Sequence, residues 1–405
     1  MKPIVRAERM KPVHSDIRGP LFVEAMKRQK QGIDILKLNT GNPATFGFGL
    51  PDSIKNALME HMQDGVGYCD FKGMPQARQA ICDYETSKGI KGITSDDVFI
   101  GNGVSEVVSF ALTPLLNDGD EVLVPSPSYS LWGNSVYLED GKPVFYTCDE
   151  QANWYPDIKD IRSKITDKTK AIVIINPNNP TGVLYPKEIL LEIIQVAREF
   201  GLLIFADEIY DRLVMDGKQH ISLASLTEDV PVITLNGLSK SHCLCGYRCG
   251  WMVISGPREL TEDYRQGIIQ LTSLRLCANT MAQIVIPAAL DDMETPASMV
   301  RPGGRIYEQR EATVRELEKI DGLSFVKNDA AFYVFPKLDV KKFNITNDKQ
   351  FAHDLLDATN ILLVPGSGFD WKDPDHFRIV MLPQADILSD AIRRMGTFLD
   401  GYKQK

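Results

Sequence analysis

Several segments of this chain are apolar at every position, and that feature limits its fold more than any other. AIVII (Ala171 to Ile175) and LLIFA (Leu202 to Ala206) show no alternation of apolar and polar residues. A strand with one solvated face alternates; a continuous run belongs to a parallel strand buried on both faces. Runs of this kind predict strands at Asp97 to Gly101, Glu121 to Pro125, Pro143 to Thr147, Ala171 to Asn176, Leu202 to Ala206, Val232 to Leu235 and Trp251 to Ser255. Helical patterns separate them. One is Pro186 to Phe200, which opens on a proline, a residue that the first helical turn accepts. The alternation predicts an α/β fold, with a large domain whose mostly parallel sheet lies between helices.

The last third reads differently. Two long helical patterns, about Leu260 to Asp291 and Arg301 to Ile320, precede strands at Phe332 to Phe335, Ile361 to Val364 and His376 to Met381, and a final helix follows Gln384. This predicts a smaller α+β domain, with an N-terminal strand around Leu36 to Asn39 available to pair with it. The expected division is an N-terminal segment at 1–49 that joins the small domain, a large domain at 50–295 and the small domain at 296–405.

Charge and composition narrow the function. Lys and Arg number 45 against 54 Asp and Glu, giving a net charge of −9, whereas a general nucleic-acid binder carries a basic surplus. No apolar run approaches the roughly 20 residues of a membrane span. The first residues (MKPIVRAERMKPVHSDIRGP) lack the apolar core of a signal peptide, so a cytoplasmic protein is expected. Seven cysteines, an odd and sparse set, fit that compartment.

In open α/β sheets, ligands sit beyond the carboxyl ends of the strands. Here those ends carry Asn102-Gly103-Val104-Ser105-Glu106, Pro177-Asn178-Asn179-Pro180-Thr181-Gly182, Asp207-Glu208-Ile209-Tyr210 and Asn236-Gly237-Leu238-Ser239-Lys240, followed by Gly246-Tyr247-Arg248. A turn into a helix N-terminus suits an anion, and an amide, an acid, a phenol, a lysine and an arginine converge on the same rim. A dinucleotide fingerprint fails on these residues, because Glu106 stands where the third glycine belongs. Cys243, Cys245 and Cys249 beside His242 lack the second cysteine pair of a structural zinc site, so no metal is expected.

NPNNPTG, ADEIYD, SKSHCLCGYRCGW and FRIVMLP, in that order, resemble the fold-type I, class I and II aminotransferases, which use pyridoxal 5′-phosphate (PLP). LNTGNPATFGF and VGYCDFKGMPQAR extend the resemblance to nearly the whole chain. Within the family the chain is similar to bacterial alanine aminotransferases of the glutamate–pyruvate type. The resemblance implies that Lys240 holds PLP covalently and moves the reacting proton. It implies that Asp207 keeps the pyridine nitrogen protonated, that Tyr210 and Asn179 bond the ring oxygen, and that Tyr129 stacks on the ring. Val104, Ser105, Ser239 and Arg248 match phosphate contacts, and Tyr68 matches a tyrosine that reaches the phosphate from the neighbouring subunit of a homodimer. The small hydroxyl that relatives place three residues before the lysine is Gly237 here. Arg378, Gly41 and Asn179 match the site of the substrate α-carboxylate, where a guanidinium fork fits bidentately.

The reaction so implied is a ping-pong transamination, L-alanine plus 2-oxoglutarate giving pyruvate plus L-glutamate, in amino-acid biosynthesis. A second cation for the γ-carboxylate is expected at Arg18, on an N-terminal segment able to fold over the site, with Arg275 as the fallback. The motifs specify carbanion formation, so aromatic or branched-chain donors and a carbon–sulfur β-lyase stay open. A DNA-binding regulator of this type would need a helix-turn-helix unit, and the stretch before LNTGNP has none.

Overall fold

The computed structural model describes residues 2–405. After a short strand β1 (Leu36–Lys37), the large unit contains β2 (Val98–Asn102), β3 (Glu121–Ser126), β4 (Lys142–Asp149), β5 (Tyr155–Pro156), β6 (Thr169–Ile175), β7 (Leu203–Asp207), β8 (Val232–Gly237) and β9 (Cys249–Ser255). They form one sheet in the order β2-β9-β8-β7-β6-β3-β4-β5. From β8 to β4 the pairing is parallel; β9 is antiparallel to both neighbours, and β5 is antiparallel to β4. Because β9 runs the opposite way, β2 points in the same direction as β8. The carboxyl ends of β2, β3, β6, β7 and β8 therefore share one edge.

The apolar runs divide between two cores. Val122, Val124, Ala171, Val173, Ile175 and Phe205 pack on one face, with the helix Val104–Leu112. Leu123, Ile172, Ile174, Ile204 and Ala206 pack on the other, with the helix Lys187–Phe200. Both faces are dry, which is why AIVII has no polar position. Each such aliphatic side chain contributes about 1.5–3 kcal/mol on burial, so a polar residue in either phase would be costly.

The C-terminal unit holds β10 (Leu323–Ser324), β11 (Tyr333–Val334), β12 (Lys337–Leu338), β13 (Ile361–Leu362), β14 (Val364–Pro365) and β15 (Phe377–Val380). β1 pairs in parallel with β13, and Leu38 joins a core with Leu355, Phe377, Ile379 and Ile392. The final helix, Ala385–Leu399, covers that core.

Of the two long helices expected from the sequence, one is broken and the other is shortened. The stretch from Leu260 to Asp291 is three helices, Arg258–Arg275, Thr280–Ile284 and Ile286–Asp291. Leu276 takes φ 79°, which ends the first, and Asn279 caps the second by accepting from the Met281 N–H. The stretch from Arg301 to Ile320 is one helix, shorter at both ends, Arg305–Leu317, and a separate helix, Glu294–Val300, precedes it. At Gly304 between them, a Cβ would lie 2.3 Å from the Ser298 carbonyl oxygen. Among the described residues no single helix is long and apolar enough to cross a membrane.

Candidate active site

The turn after β2 is built for close approach. Gly103 takes φ 84° and opens the helix Val104–Leu112. A Cβ at Gly103 would lie 2.3 Å from the Arg248 guanidinium, and one at Gly250 would lie 2.4 Å from the Val104 nitrogen. These two glycines let Arg248 rest beside a helix N-terminus whose first N–H groups have no intrahelical partner. Arg248 spends its own hydrogen bonds on the carbonyls of Cys245 (3.0 Å) and Asn102 (3.4 Å), and among the described residues it makes no ion pair. Gly237, which stands in place of a hydroxyl residue, has a steric reason: a Cβ there would lie 2.5 Å from the Cys249 carbonyl oxygen.

Asp207 ends β7 and is 5% exposed. Its carboxylate accepts from Trp132 Nε1 (3.1 Å) and the Ile209 N–H (3.3 Å), and among the described residues no cation forms an ion pair with it. Burial pushes its pKa up to about 6, with these two donors working in the opposite direction. Three residues on, the Tyr210 hydroxyl meets the Tyr333 hydroxyl at 2.8 Å. Burial, and then Tyr333, hold the Tyr210 phenol well above its ordinary pKa, so it stays protonated.

Lys240 follows β8. Its Nζ donates to the Gly41 carbonyl at 2.9 Å and lies 4.0 Å from Cys245 Sγ. Burial works against its charge, but the facing Tyr333, Cys245 and Tyr129 outweigh that, and the ammonium sits above the ordinary lysine value. Gly41 is confined by the protein itself, since a Cβ there would lie 2.4 Å from the Tyr333 hydroxyl. Ser239 is half-buried beside the lysine and contributes its carbonyl, which accepts from Cys245 Sγ at 2.9 Å.

Arg378, on β15, is 1% exposed. It donates to Asn179 Oδ1 at 2.8 Å and to the Asn39 carbonyl. The rings of Tyr333 and Phe369 lie 4.6 Å from its guanidinium carbon. Its Nε has no partner, and burial lowers its pKa. Among the described residues no carboxylate pairs with it. Stripping water from an unpaired charge costs several kcal/mol, so this guanidinium is suited to an anion that arrives from outside.

A second polar cluster fixes the turn that aims Asp207 and Tyr210. Lys88 Nζ bonds Glu85 and Glu208 at 2.7 Å each and Asp211 at 3.2 Å. Tyr84 and Asn236 also donate to Asp211, at 2.6 and 2.7 Å. Glu208, Asp211 and His220 come close enough together to suit a metal ion, and the lysine supplies the positive charge they need.

The sequence-predicted residues fall in different places. Lys240, Asp207, Tyr210, Asn179, Arg378 and Gly41 are linked through the contacts above, and Tyr129 faces both Lys240 and Arg378. Val104, Ser105 and Arg248 lie at the helix start. Tyr68 stands 83% exposed, away from these contacts. Arg18 is exposed on a turn, Asp16–Arg18, next to Ile17, whose carbonyl accepts from Asn39. The fallback Arg275 is corrected: it pairs with Glu106 and donates to the carbonyls of Phe71 (3.1 Å) and Ile100 (3.2 Å), so its guanidinium braces β2. Trp132, Tyr333, Phe369 and Asn39 were not foreseen. Trp132 had a usable signal, since it lies one helical turn beyond Tyr129.

Among the described residues the site thus holds a buried acid with no cation paired to it, a buried guanidinium with no acid paired to it, and a lysine. The family described as "Aminotransferase class I and II" matches residues 33–392. A glutamate-pyruvate aminotransferase, AlaA, from Haemophilus influenzae is 49% identical over 404 residues, covering 100% of both chains. The crystal structure of an aminotransferase from Escherichia coli superposes with a TM-score of 0.98 at 46% identity over 100% of both chains. An alanine aminotransferase from Pyrococcus furiosus superposes with a TM-score of 0.93 at 40% identity, over 98% of this chain and 100% of that one.

Proposed function

This chain belongs to the class I and II aminotransferases, and from that premise we propose that it transfers the amino group of L-alanine to 2-oxoglutarate in a ping-pong exchange. Pyruvate leaves after the first half and L-glutamate after the second. The observation that carries the reading is the pair of unmatched buried charges, Asp207 and Arg378. One fits the protonated ring nitrogen of PLP and the other fits an amino acid's carboxylate.

PLP supplies an electron-poor ring that takes up the electron pair left at the substrate Cα when its proton departs. The residues around that ring have distinct tasks. Lys240 would hold the cofactor covalently, and its Nζ, once free, would be the base that moves the substrate Cα proton. Asp207 would hold the pyridine N–H, Tyr210 and Asn179 would bond the ring oxygen, and Tyr129 would pack on the ring. Val104, Ser105, Ser239 and Arg248 would hold the phosphate. Arg378, Asn179 and Gly41 orient the α-carboxylate, with Tyr333 and Phe369 keeping water from the guanidinium.

The same reading takes the chain as a cytoplasmic homodimer, divided into units at 1–49, 50–295 and 296–405. Met62, Val66, Leu274 and Leu276 are 56%, 76%, 82% and 52% exposed, and the Thr280 hydroxyl bonds the Gly65 carbonyl, which brings the turn Met62–Gly65 against the start of the helix Thr280–Ile284. An apolar face of this kind beside Tyr68 suits a second copy, into whose site Tyr68 then extends.

Arg378→Lys keeps the charge and loses the fork. It is expected to raise KM for L-alanine and for 2-oxoglutarate alike, by about 10- to 100-fold. Arg18→Ala should raise KM for 2-oxoglutarate by about tenfold and leave pyruvate nearly unchanged, because only the longer acid carries a γ-carboxylate. Equal effects on both acids would remove Arg18 from the site. The function itself is tested by incubating the protein with ¹⁵N-labelled L-alanine and 2-oxoglutarate. The label is expected in glutamate; label released as ammonia would make the protein a lyase, and no turnover of L-alanine would assign it another donor.

A further inference from the structure

Arg378 is not the only buried cation at the base of β15. His376, directly before that strand, is 0% exposed. Residues two apart in an extended segment face the same way, so His376 and Arg378 lie on one face. The imidazole contacts acids on both sides. Its Nδ1 meets Asp375 Oδ1 at 2.6 Å, and its Nε2 lies 3.5 Å from Glu150 Oε1. Lys337 closes the group, 2.7 Å from Glu150 and 3.5 Å from Asp375. With the imidazole protonated, two positive charges face two negative ones.

The cluster crosses between the two units. Glu150 sits in the turn Glu150–Ala152 after β4 of the large sheet, while Lys337, Asp375 and His376 belong to the C-terminal unit. Aromatic rings tie the same histidine to the anion site. His376 stacks on Phe335 at 4.8 Å and 19°, Phe335 meets Phe369 edge-on at 6.0 Å, and Phe369 lies against the Arg378 guanidinium. Trp154 of the large unit and Trp371 close the sides, at 5.2 and 5.4 Å.

We propose that His376 is a positioning residue for substrate carboxylate binding: it clamps the strand that carries Arg378 onto the large sheet by completing a charge-balanced cluster with Glu150, Lys337 and Asp375. The proposal rests on the reading of Arg378 as the carboxylate site. Titration supports it. Burial works against the imidazolium, but Asp375 and then Glu150 outweigh that and keep the charge above the ordinary histidine value. The charged or titratable groups that face the ring are these two acids and Lys337; Phe335, Trp154 and Trp371 are neutral. As pH rises through the raised histidine pKa, two acids are left facing one lysine, and the clamp weakens.

Propionate is the probe, since it has the three carbons and carboxylate of alanine and no amine to react or titrate. Its inhibition constant against L-alanine is measured on the PLP-loaded enzyme across the histidine titration. His376→Phe, which keeps the ring stack and removes both polar contacts, is expected to weaken propionate about tenfold below the histidine pKa, with kcat changed less than twofold. In the unsubstituted enzyme propionate should weaken as pH rises; in His376→Phe that dependence should vanish. Glu150→Gln carries the test if His376→Phe does not fold, with an expected loss of about threefold and a shallower pH dependence. Identical inhibition constants in variant and parent at every pH overturn the proposal. Arg378→Lys separates the two layers: if it leaves propionate binding intact, the carboxylate reading fails, and if it weakens propionate while His376→Phe does not, only the clamp fails.

Discussion

Lys240→Ala is expected to leave a folded protein whose transamination rate falls by on the order of 10⁴-fold or more. The residue makes few contacts that hold the fold: one hydrogen bond to the Gly41 carbonyl and a 4.0 Å approach to Cys245. Its loss therefore removes chemistry and spares structure. Lys240→Arg isolates the cause. Arginine keeps the positive charge at the site but does not give up its proton in a protein, so it cannot take one from Cα. Both variants should be similarly inactive in single-turnover assays with L-alanine, and both should unfold within a few degrees of the parent. Substantial activity in Lys240→Arg would mean that the lysine acts by charge and another group moves the proton.

Asp207→Asn should move stability and activity in opposite directions. In protein freed of PLP, burial holds Asp207 near pKa 6 against an ordinary 3.8. Between about pH 4 and pH 6 the folded form keeps a proton that the unfolded chain has released, so stability falls as pH rises through that window. The gap corresponds to about 3 kcal/mol, lost in full at neutral pH. Asparagine removes that cost, but offers one acceptor to two donors, Trp132 Nε1 and the Ile209 N–H, at a loss of about 1 kcal/mol. The PLP-free variant should thus be more stable than the parent by about 1–2 kcal/mol at pH 7, and no more stable than it below pH 4. The PLP-loaded variant should lose about 10²- to 10³-fold in kcat, because a neutral amide does not hold the ring nitrogen protonated. Denaturant unfolding with and without PLP checks both signs. A PLP-free variant less stable than the parent at pH 7 would show that Asp207 is a structural acid.

The large sheet was legible because its strands are apolar on both faces. Val173 and Ile174 point into different cores, and no periodicity was needed to find them. The helix break at Leu276 was not legible, since a leucine at φ 79° leaves no mark in composition. In the site, the residues read from motifs are those whose chemistry needs one residue type, such as Lys240 and Arg378. Their supports escaped notice for a physical reason. Tyr333 and Phe369 look like ordinary core aromatics until Arg378 is found between them. Asn39 acts partly through its backbone carbonyl, which any residue could supply. Lys88 joins Glu85, a near neighbour in sequence, to Glu208 and Asp211, which lie 120 and 123 residues away, a contact only the fold creates.

Whether Lys240 and Asp207 hold PLP, and whether alanine donates to it, is tested most directly by the visible absorption of the purified, PLP-loaded protein before and after additions of L-alanine and then 2-oxoglutarate. A yellow band is expected that bleaches with L-alanine and returns with 2-oxoglutarate, with no such band in Lys240→Ala. A band indifferent to both would contradict the proposed substrates, and the same band in Lys240→Ala would contradict the assignment of the lysine.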